Sequence, residues 1–204
     1  MEISAARLPE MERSKIVLLP LGSEWGMGEN NGCACKKNRL KAGRTKTPSY
    51  GIVDSRSVKT IYASEEVGID GGKKVKGRKH HIVVDTMGNL LAVTVHAANI
   101  HDTKSGINPA KKAFEKYPTI KRFCGDEGYR KSFEEAVWEI LGLLVDISER
   151  IVPEFVVLPK RWVVERTFAW MGNSRRLSKD YEISVVSAEN MVYISHLHTL
   201  LKRL

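Results

Sequence analysis

Apolar and polar positions change their rhythm near residue 50. Ahead of it lie Gly22, Gly26, Gly28 and Gly32, an apolar patch from Ile16 to Leu21, and a basic run from Lys36 to Lys46. These share no helical or strand period lasting more than a turn or two, so residues 1–48 are expected to be an irregular, poorly ordered lead-in. Such a stretch offers too little apolar surface to offset the entropy of ordering it. After it the elements follow quickly. Residues 50–54 form an apolar run expected as a short buried strand. Residues 79–86 and 90–97, rich in Val, Ile and His, read as two strands joined by a tight turn at Met87-Gly88-Asn89. A helix is predicted over 103–117, with Asp102 as N-cap and Pro118 beyond its end. Then come a strand over 119–125, a helix over 131–141 stopped by Gly142, a short strand over 143–147, an extended connection over 153–159, and helices over 161–171 and 188–201. Hairpin strands followed by alternating helices and strands predict an α/β fold, a mixed sheet flanked by helices.

Composition narrows the classes. The chain has 204 residues, 42% of them hydrophobic and 28% charged, as in an ordinary globular domain with a real core. The longest apolar runs fall far short of the ~18 residues needed to cross a bilayer. No basic, then apolar, then small-residue leader is visible near the start, so a cytoplasmic location is expected. Three cysteines are too few for a disulfide framework, and Cys33-Ala34-Cys35 lacks a second pair at zinc-site spacing. Lys and Arg outnumber Asp and Glu by 33 to 24, a net charge of +9. That excess favours a polyanionic partner, because phosphate contacts release condensed counterions.

The charge clusters around three acids. Asp54 ends Gly51-Ile52-Val53-Asp54, and Asp126 ends Phe123-Cys124-Gly125-Asp126, so both are predicted at the C-terminal ends of strands, where sites form in open sheets. Glu165 lies among Trp162, Val163, Val164, Phe168, Ala169 and Trp170 on a predicted amphipathic helix, near surface expected to be buried. Two strand-end aspartates and a helical glutamate, brought together, would offer oxygen ligands to a pair of Mg²⁺ ions, a site suited to in-line phosphodiester chemistry. Taken singly, Asp54 and Asp126 also suit turn or cap roles, and Arg161 or Arg166 would be an ion-pair partner for Glu165. The segment from Gly72 to His81 holds five Lys/Arg and two His in ten residues. Its Lys73, Lys74, Lys76, Arg78 and Lys79 suit a flexible arm along a phosphate backbone, and Lys160, Arg161, Arg166, Arg175 and Arg176 form a second basic cluster around Glu165. Trp162 and Trp170 fit a buried helix face better than a base-stacking role. His96, His101, His196 and His198 lack a ligating pattern and are expected to be structural or solvent-facing.

Six segments in order then resemble a known family. They are Gly51-Ile52-Val53-Asp54-Ser55-Arg56-Ser57-Val58-Lys59-Thr60, the run from Gly72 to Lys79, the run from Val84 to Leu91, Gly125-Asp126-Glu127-Gly128-Tyr129, the run from Leu158 to Trp170, and the run from Arg175 to Glu182. Together they resemble the catalytic core of bacterial insertion-sequence transposases of the DDE class (insertion sequence four/five superfamily). The resemblance implies an RNase H-like fold over residues 49–204, with Asp54, Asp126 and Glu165 as the three metal-binding acids. It also implies two Mg²⁺ ions, with Mn²⁺ as substitute, and strand cleavage and transfer at transposon ends. The implied partners are double-stranded DNA, both terminal inverted repeats and target, and further copies of the chain assembled on it, associated with the nucleoid. Arg161 matches the arginine four before the third acid. Leu158 stands where the family has tyrosine, and Gly172 where it has lysine. The front of the chain does not resemble the family's N-terminal helical region, which points to a truncated or frameshifted copy. A DNA-binding remnant without catalysis, or an RNase H-type nuclease acting on RNA–DNA hybrids, are the alternative functions.

Overall fold

The computed structural model describes residues 26–148 and 161–204. Its strands are β1 (Tyr50–Lys59), β2 (Gly68–Asp70), β3 (Val75–Val84), β4 (Leu90–Ala97), β5 (Arg122–Asp126) and β6 (Leu144–Ser148). Its helices are α1 (Gly26–Lys41), α2 (Asp102–Ser105), α3 (Ile107–Lys116), α4 (Ser132–Leu141), α5 (Trp162–Gly172) and α6 (Val185–Leu201). β1 lies between β3, to which it runs antiparallel, and β5, to which it runs parallel; β4 continues the sheet antiparallel beyond β3, and β6 continues it parallel beyond β5. This mixed sheet with flanking helices is the α/β architecture expected from the sequence.

Alternation along the central strands sorts side chains onto two faces. Ile52, Ile82, Val84, Val93 and Cys124 pack with Val163, Val164 and Met171 of α5 and with Ala188 and Val192 of α6. Val53, Val83 and Phe123 pack on the other face with Ala110 and Ala113 of α3 and with Phe133 and Val137 of α4. Every residue of β4 is buried, because helices close over that edge of the sheet. No helix among the described residues is long and apolar enough to cross a membrane.

Several elements differ from the sequence expectation for physical reasons. The helix expected over 103–117 is broken into α2 and α3 at Gly106. β1 runs to Lys59 instead of stopping at Asp54, because β3 pairs with it register by register from Ile52↔Val84 to Lys59↔Gly77. Its polar second half is held by a partner strand that composition alone does not reveal. The expected arm from Gly72 to His81 is likewise mostly strand. Only the turn after Asp70 is loop, with the Asp70 carboxylate accepting the Gly72 and Lys73 amides at 3.1 and 3.0 Å.

The clearest correction concerns the front of the chain, where residues 26–41 form helix α1 instead of an irregular segment. The sequence shows little amphipathic period there because the helix docks through polar groups. Asn31 donates to the Leu90 carbonyl at 2.7 Å, and Asn38 donates to the Asn89 side chain at 2.7 Å. Arg39 pairs with Asp85 at 2.5 Å, both side chains nearly sealed from solvent. Ala34 and Cys35 pack against Leu197 and Leu200 of α6. Residues 1–25 lie outside the described part of the chain.

Removing one partner of a buried ion pair strands the other charge, at a cost of about 3–5 kcal/mol. Arg39→Ala is therefore expected to lower unfolding stability by about that amount in urea melts. A loss under about 1 kcal/mol, the range of an exposed ion pair, would show that α1 is not an integral part of the domain.

Candidate active site

β1 and β5 pair in parallel with Ile52 opposite Cys124, where their ladder ends. Two residues further along each strand stand Asp54 and Asp126. The same offset puts them on one face of the sheet, on strands ~4.8 Å apart. That face is the one covered by α5, since Ile52 and Cys124 share it. Asp54 lies within β1, not at its end as expected, and accepts the Ser55 amide at 2.7 Å. Asp126 does end its strand. It accepts the Gly128 amide at 3.0 Å and so caps the 3₁₀ turn over Glu127–Tyr129.

Glu165 reaches the same place through Arg161. The Arg161 guanidinium lies 3.4 Å from the Asp126 carboxylate and 3.4 Å from that of Glu165. Arg161 bridges Asp126 and Glu165, and its charge also favours the ionised form of Asp54. The expectation that Glu165 sits near buried surface is not met, as its side chain is 55% exposed. The apolar neighbours that suggested burial, Val163 and Val164, point into the core on the opposite side of α5. Among the described residues no three carboxylate, imidazole or thiol groups converge closely enough to cage an ion as they stand. The donor chemistry nevertheless fits a hard divalent cation: only carboxylate oxygens are offered, and burial and the neighbouring Asp126 keep the Asp54 carboxyl from ionising easily.

The basic residues divide sharply. Lys73, Lys74 and Lys76 are exposed, and Lys73 acts on Asp54 by its charge. Arg175 is exposed, and so is Arg176, which pairs with Glu182. Arg78 and Lys79 cannot serve as the phosphate contacts expected of them. Arg78 is fully buried against Asp180 and the carbonyls of Glu65, Glu182 and Ile183, and Lys79 is buried against Asp102 at 3.0 Å. Both point into packed interior because they lie on β3, a strand covered on both sides. Lys160 lies outside the described residues.

Trp162 is 40% exposed, contrary to the core role expected for it. The Arg166 guanidinium stacks between the rings of Trp162 and Trp170, at 4.2 and 4.4 Å, and Arg203 covers the Trp170 ring at 3.6 Å. Sequence reading also missed Arg56. It follows Asp54 by two on the same face of β1, and its Nη1 lies 3.5 Å from where a Gly172 side chain would begin. The alternation of β1 could have found it, had the strand been extended past Asp54. Of the histidines, His96 and His196 are buried and hydrogen-bonded, as expected of structural residues.

Burial lifts the Asp54 carboxyl to about 7; the Ser55 amide opposes the shift, the Asp126 charge adds to it, and Arg161 and Lys73 oppose it. The unfolded group ionises near 4. A carboxyl raised in the folded state contributes stability that is complete below pH ~4 and is lost as pH climbs through about 7. In EDTA, the Asp54→Asn variant should therefore gain in Tm relative to the unsubstituted chain as pH rises from 5 to 8. Parallel Tm–pH curves for the two proteins would show that Asp54 is not in the environment described.

Residues 45–138 match the family model described as "Transposase DDE domain", a stretch that includes Asp54 and Asp126. The protein named as transposase for insertion sequence element IS402 in Burkholderia cepacia is 31% identical over 118 residues, 52% of this chain and 54% of that one. The chain thus spans about half the length of that curated relative. Among solved structures, the catalytic core domain of BIV integrase aligns with a TM-score of 0.46 and 14% identity, covering 72% of this chain and 82% of that one. The catalytic domain of Mos1 mariner transposase aligns with a TM-score of 0.43 and 14% identity, covering 91% and 93%. Those two structural likenesses are distant and add nothing to the topology described above. Residues 45–138, with Asp54 and Asp126 among them, are thus similar in sequence to the transposase DDE domain, as the segments read from the sequence led us to expect.

Proposed function

We propose that this chain carries the catalytic site of an insertion-sequence transposase, which binds double-stranded DNA at transposon ends and cuts and rejoins its strands with divalent metal. The observation that carries the reading is the placement of Asp54 and Asp126 side by side on parallel strands, with Glu165 joined to them through Arg161. Asp54, Asp126 and Glu165 would hold Mg²⁺, or Mn²⁺ in its place. When bound, a pair of such ions polarises the scissile phosphate and activates the attacking oxygen. Within the protein, β1 and β5 hold the two aspartates in register. Arg161 keeps Glu165 near Asp126, and its guanidinium would be available to bind a phosphate laid across the acids.

Lys73, Lys74, Lys76, Arg175 and Arg176 are exposed, and Arg56 and Arg166 are half-exposed. Such exposed or half-exposed cations suit a DNA backbone laid across the acids. Arg56, beside Gly172, supplies positive charge where the family's lysine is missing. Because an element has two ends, a homo-oligomer on DNA is part of the reading.

The test is nicking of a duplex carrying the element's terminal inverted repeats, in the presence of Mg²⁺. Asp54→Asn, Asp126→Asn and Glu165→Gln should each abolish cleavage while leaving DNA binding nearly unchanged. Cleavage retained by any one of them would remove that residue from the metal-binding set. Cleavage confined to RNA–DNA hybrids would favour the nuclease reading, and binding with no cleavage of any substrate would favour the remnant.

Replacing Lys73, Lys74 and Lys76 together by Ala should weaken binding to all DNA sequences alike. The slope of log K against log salt should flatten by about one unit per lost phosphate contact. An unchanged slope would mean that this turn stays clear of the DNA.

A further inference from the structure

Behind the proposed site, on the sheet face turned away from α5, runs a buried chain of polar groups that the reading above does not use. It starts at Tyr129, three residues after Asp126 and 1% exposed. The Tyr129 hydroxyl lies 2.7 Å from His81 Nε2. His81 Nδ1 lies 3.3 Å from Ser105 Oγ and 3.4 Å from His96 Nε2. Ser105 in turn donates to the His101 carbonyl at 3.1 Å, and His96 Nδ1 meets the Ala97 carbonyl at 3.0 Å.

One assignment of protons satisfies every link. His96 must donate from Nδ1 to a carbonyl, which leaves its Nε2 as an acceptor. Ser105 gives its proton to His101, which leaves its oxygen as an acceptor. His81 therefore carries its proton on Nδ1, and its Nε2 accepts from Tyr129. Burial pushes His81 down to about 3, so the ring is neutral, and burial likewise holds the Tyr129 hydroxyl in its protonated form.

The tyrosine ring has a place built for it. A Cβ added at Gly125 would fall 3.0 Å from Tyr129 Cβ and Cγ, and one added at Gly106 would fall 2.9 Å from its Cε1. Phe133 and His81 close the remaining sides edge-on, with ring centroids 5.2 and 5.6 Å away. Gly106 is also where α2 breaks from α3, so the helix break and the ring occupy the same space.

This anchor connects the two acid-bearing strands. His81 pairs directly with Ser55, the residue after Asp54, and Ser55 donates to Asp102 at 2.9 Å. Tyr129 ends the 3₁₀ turn whose cap is Asp126. Beyond Ile52↔Cys124 the ladder between β1 and β5 has ended, so the link from Tyr129 to His81 ties the Asp126 turn to the β1–β3 pair where strand pairing no longer does.

We propose that Tyr129 and His81 are a positioning pair, whose buried hydrogen bond fixes the Asp126 turn beside Asp54 and so sets the affinity of the acids for divalent cations. The proposal rests on the metal-binding reading of Asp54, Asp126 and Glu165. Hydrogen-bond partners behind metal ligands commonly matter to affinity by about 10–100-fold.

The experiment is calorimetric titration of the whole chain with Mn²⁺ and with Mg²⁺, alongside thermal melts in EDTA. Tyr129→Phe and His81→Leu should each raise the Mn²⁺ Kd by about 10–100-fold. His81→Gln, which keeps an acceptor for the hydroxyl, should largely restore it. The double variant Tyr129→Phe/His81→Leu should bind no more weakly than the weaker single variant, since one bond is lost in each case. The Mg²⁺ concentration for half-maximal cleavage should rise with Kd, while the rate at saturating Mg²⁺ stays nearly unchanged. A Tm lowered in EDTA with an unaltered Kd would make the pair merely structural and overturn the proposal while leaving the metal site intact, as would additive losses in the double variant. Absence of Mn²⁺ binding by the unsubstituted chain would overturn the metal-site reading and this proposal with it.

Discussion

Asp54 and Asp126 carry like charges on adjacent parallel strands, and much of the structure around them resists their separation. Strand pairing from Tyr50↔Arg122 to Ile52↔Cys124 brings the two carboxylates level but ends before it reaches them. Beyond that point β1 is held by β3, and the Asp126 turn by β6 and by Tyr129. Arg161 stands among the acids as a resident cation. The cost of the arrangement shows in Asp54, whose ionised form is disfavoured up to about pH 7 by burial and by the charge of Asp126. On the proposed reading, a divalent cation held by these acids would offset that cost by favouring the ionised carboxylate.

The excess of basic residues serves two ends. Some cations are structural: Arg78 ties β3 to the segment before α6 through Asp180, Arg39 ties α1 to the β3–β4 turn through Asp85, and Lys79 holds Asp102 near Ser55. Each is buried, where removing one partner leaves a stranded charge. Others stay in solvent, among them Lys73, Lys74, Lys76, Arg175 and Arg176. A net charge of +9 therefore overstates the positive charge left at the surface, since part of it is held inside the fold.

The mixed sheet, the hairpin and most helices were legible in the sequence because their apolar periods are strong. β1, β3 and the two core faces follow from alternating Val and Ile, and α4 from its stop at Gly142. Asp54, Asp126 and Glu165 could be picked out for the same reason, each standing beside a strongly apolar run. What escaped was whatever depended on partners distant in sequence. The polar half of β1 is a strand only because β3 lies beside it, and Arg78 and Lys79 are buried only because Asp180 and Asp102 await them. α1 escaped because Asn31, Asn38 and Arg39 dock it without an apolar stripe. Glu165 was expected near buried surface from its neighbours, yet it points outward from a helix whose other side is core.

The central claim is that Asp54, Asp126 and Glu165 form one divalent-cation site. Anomalous diffraction from crystals of this chain soaked in Mn²⁺ tests it most directly. The account predicts a peak between the carboxylates of Asp54 and Asp126, with the Arg161 guanidinium displaced from the acids it now bridges. Mn²⁺ bound only elsewhere on the surface, with Arg161 still seated between Asp126 and Glu165, would contradict it.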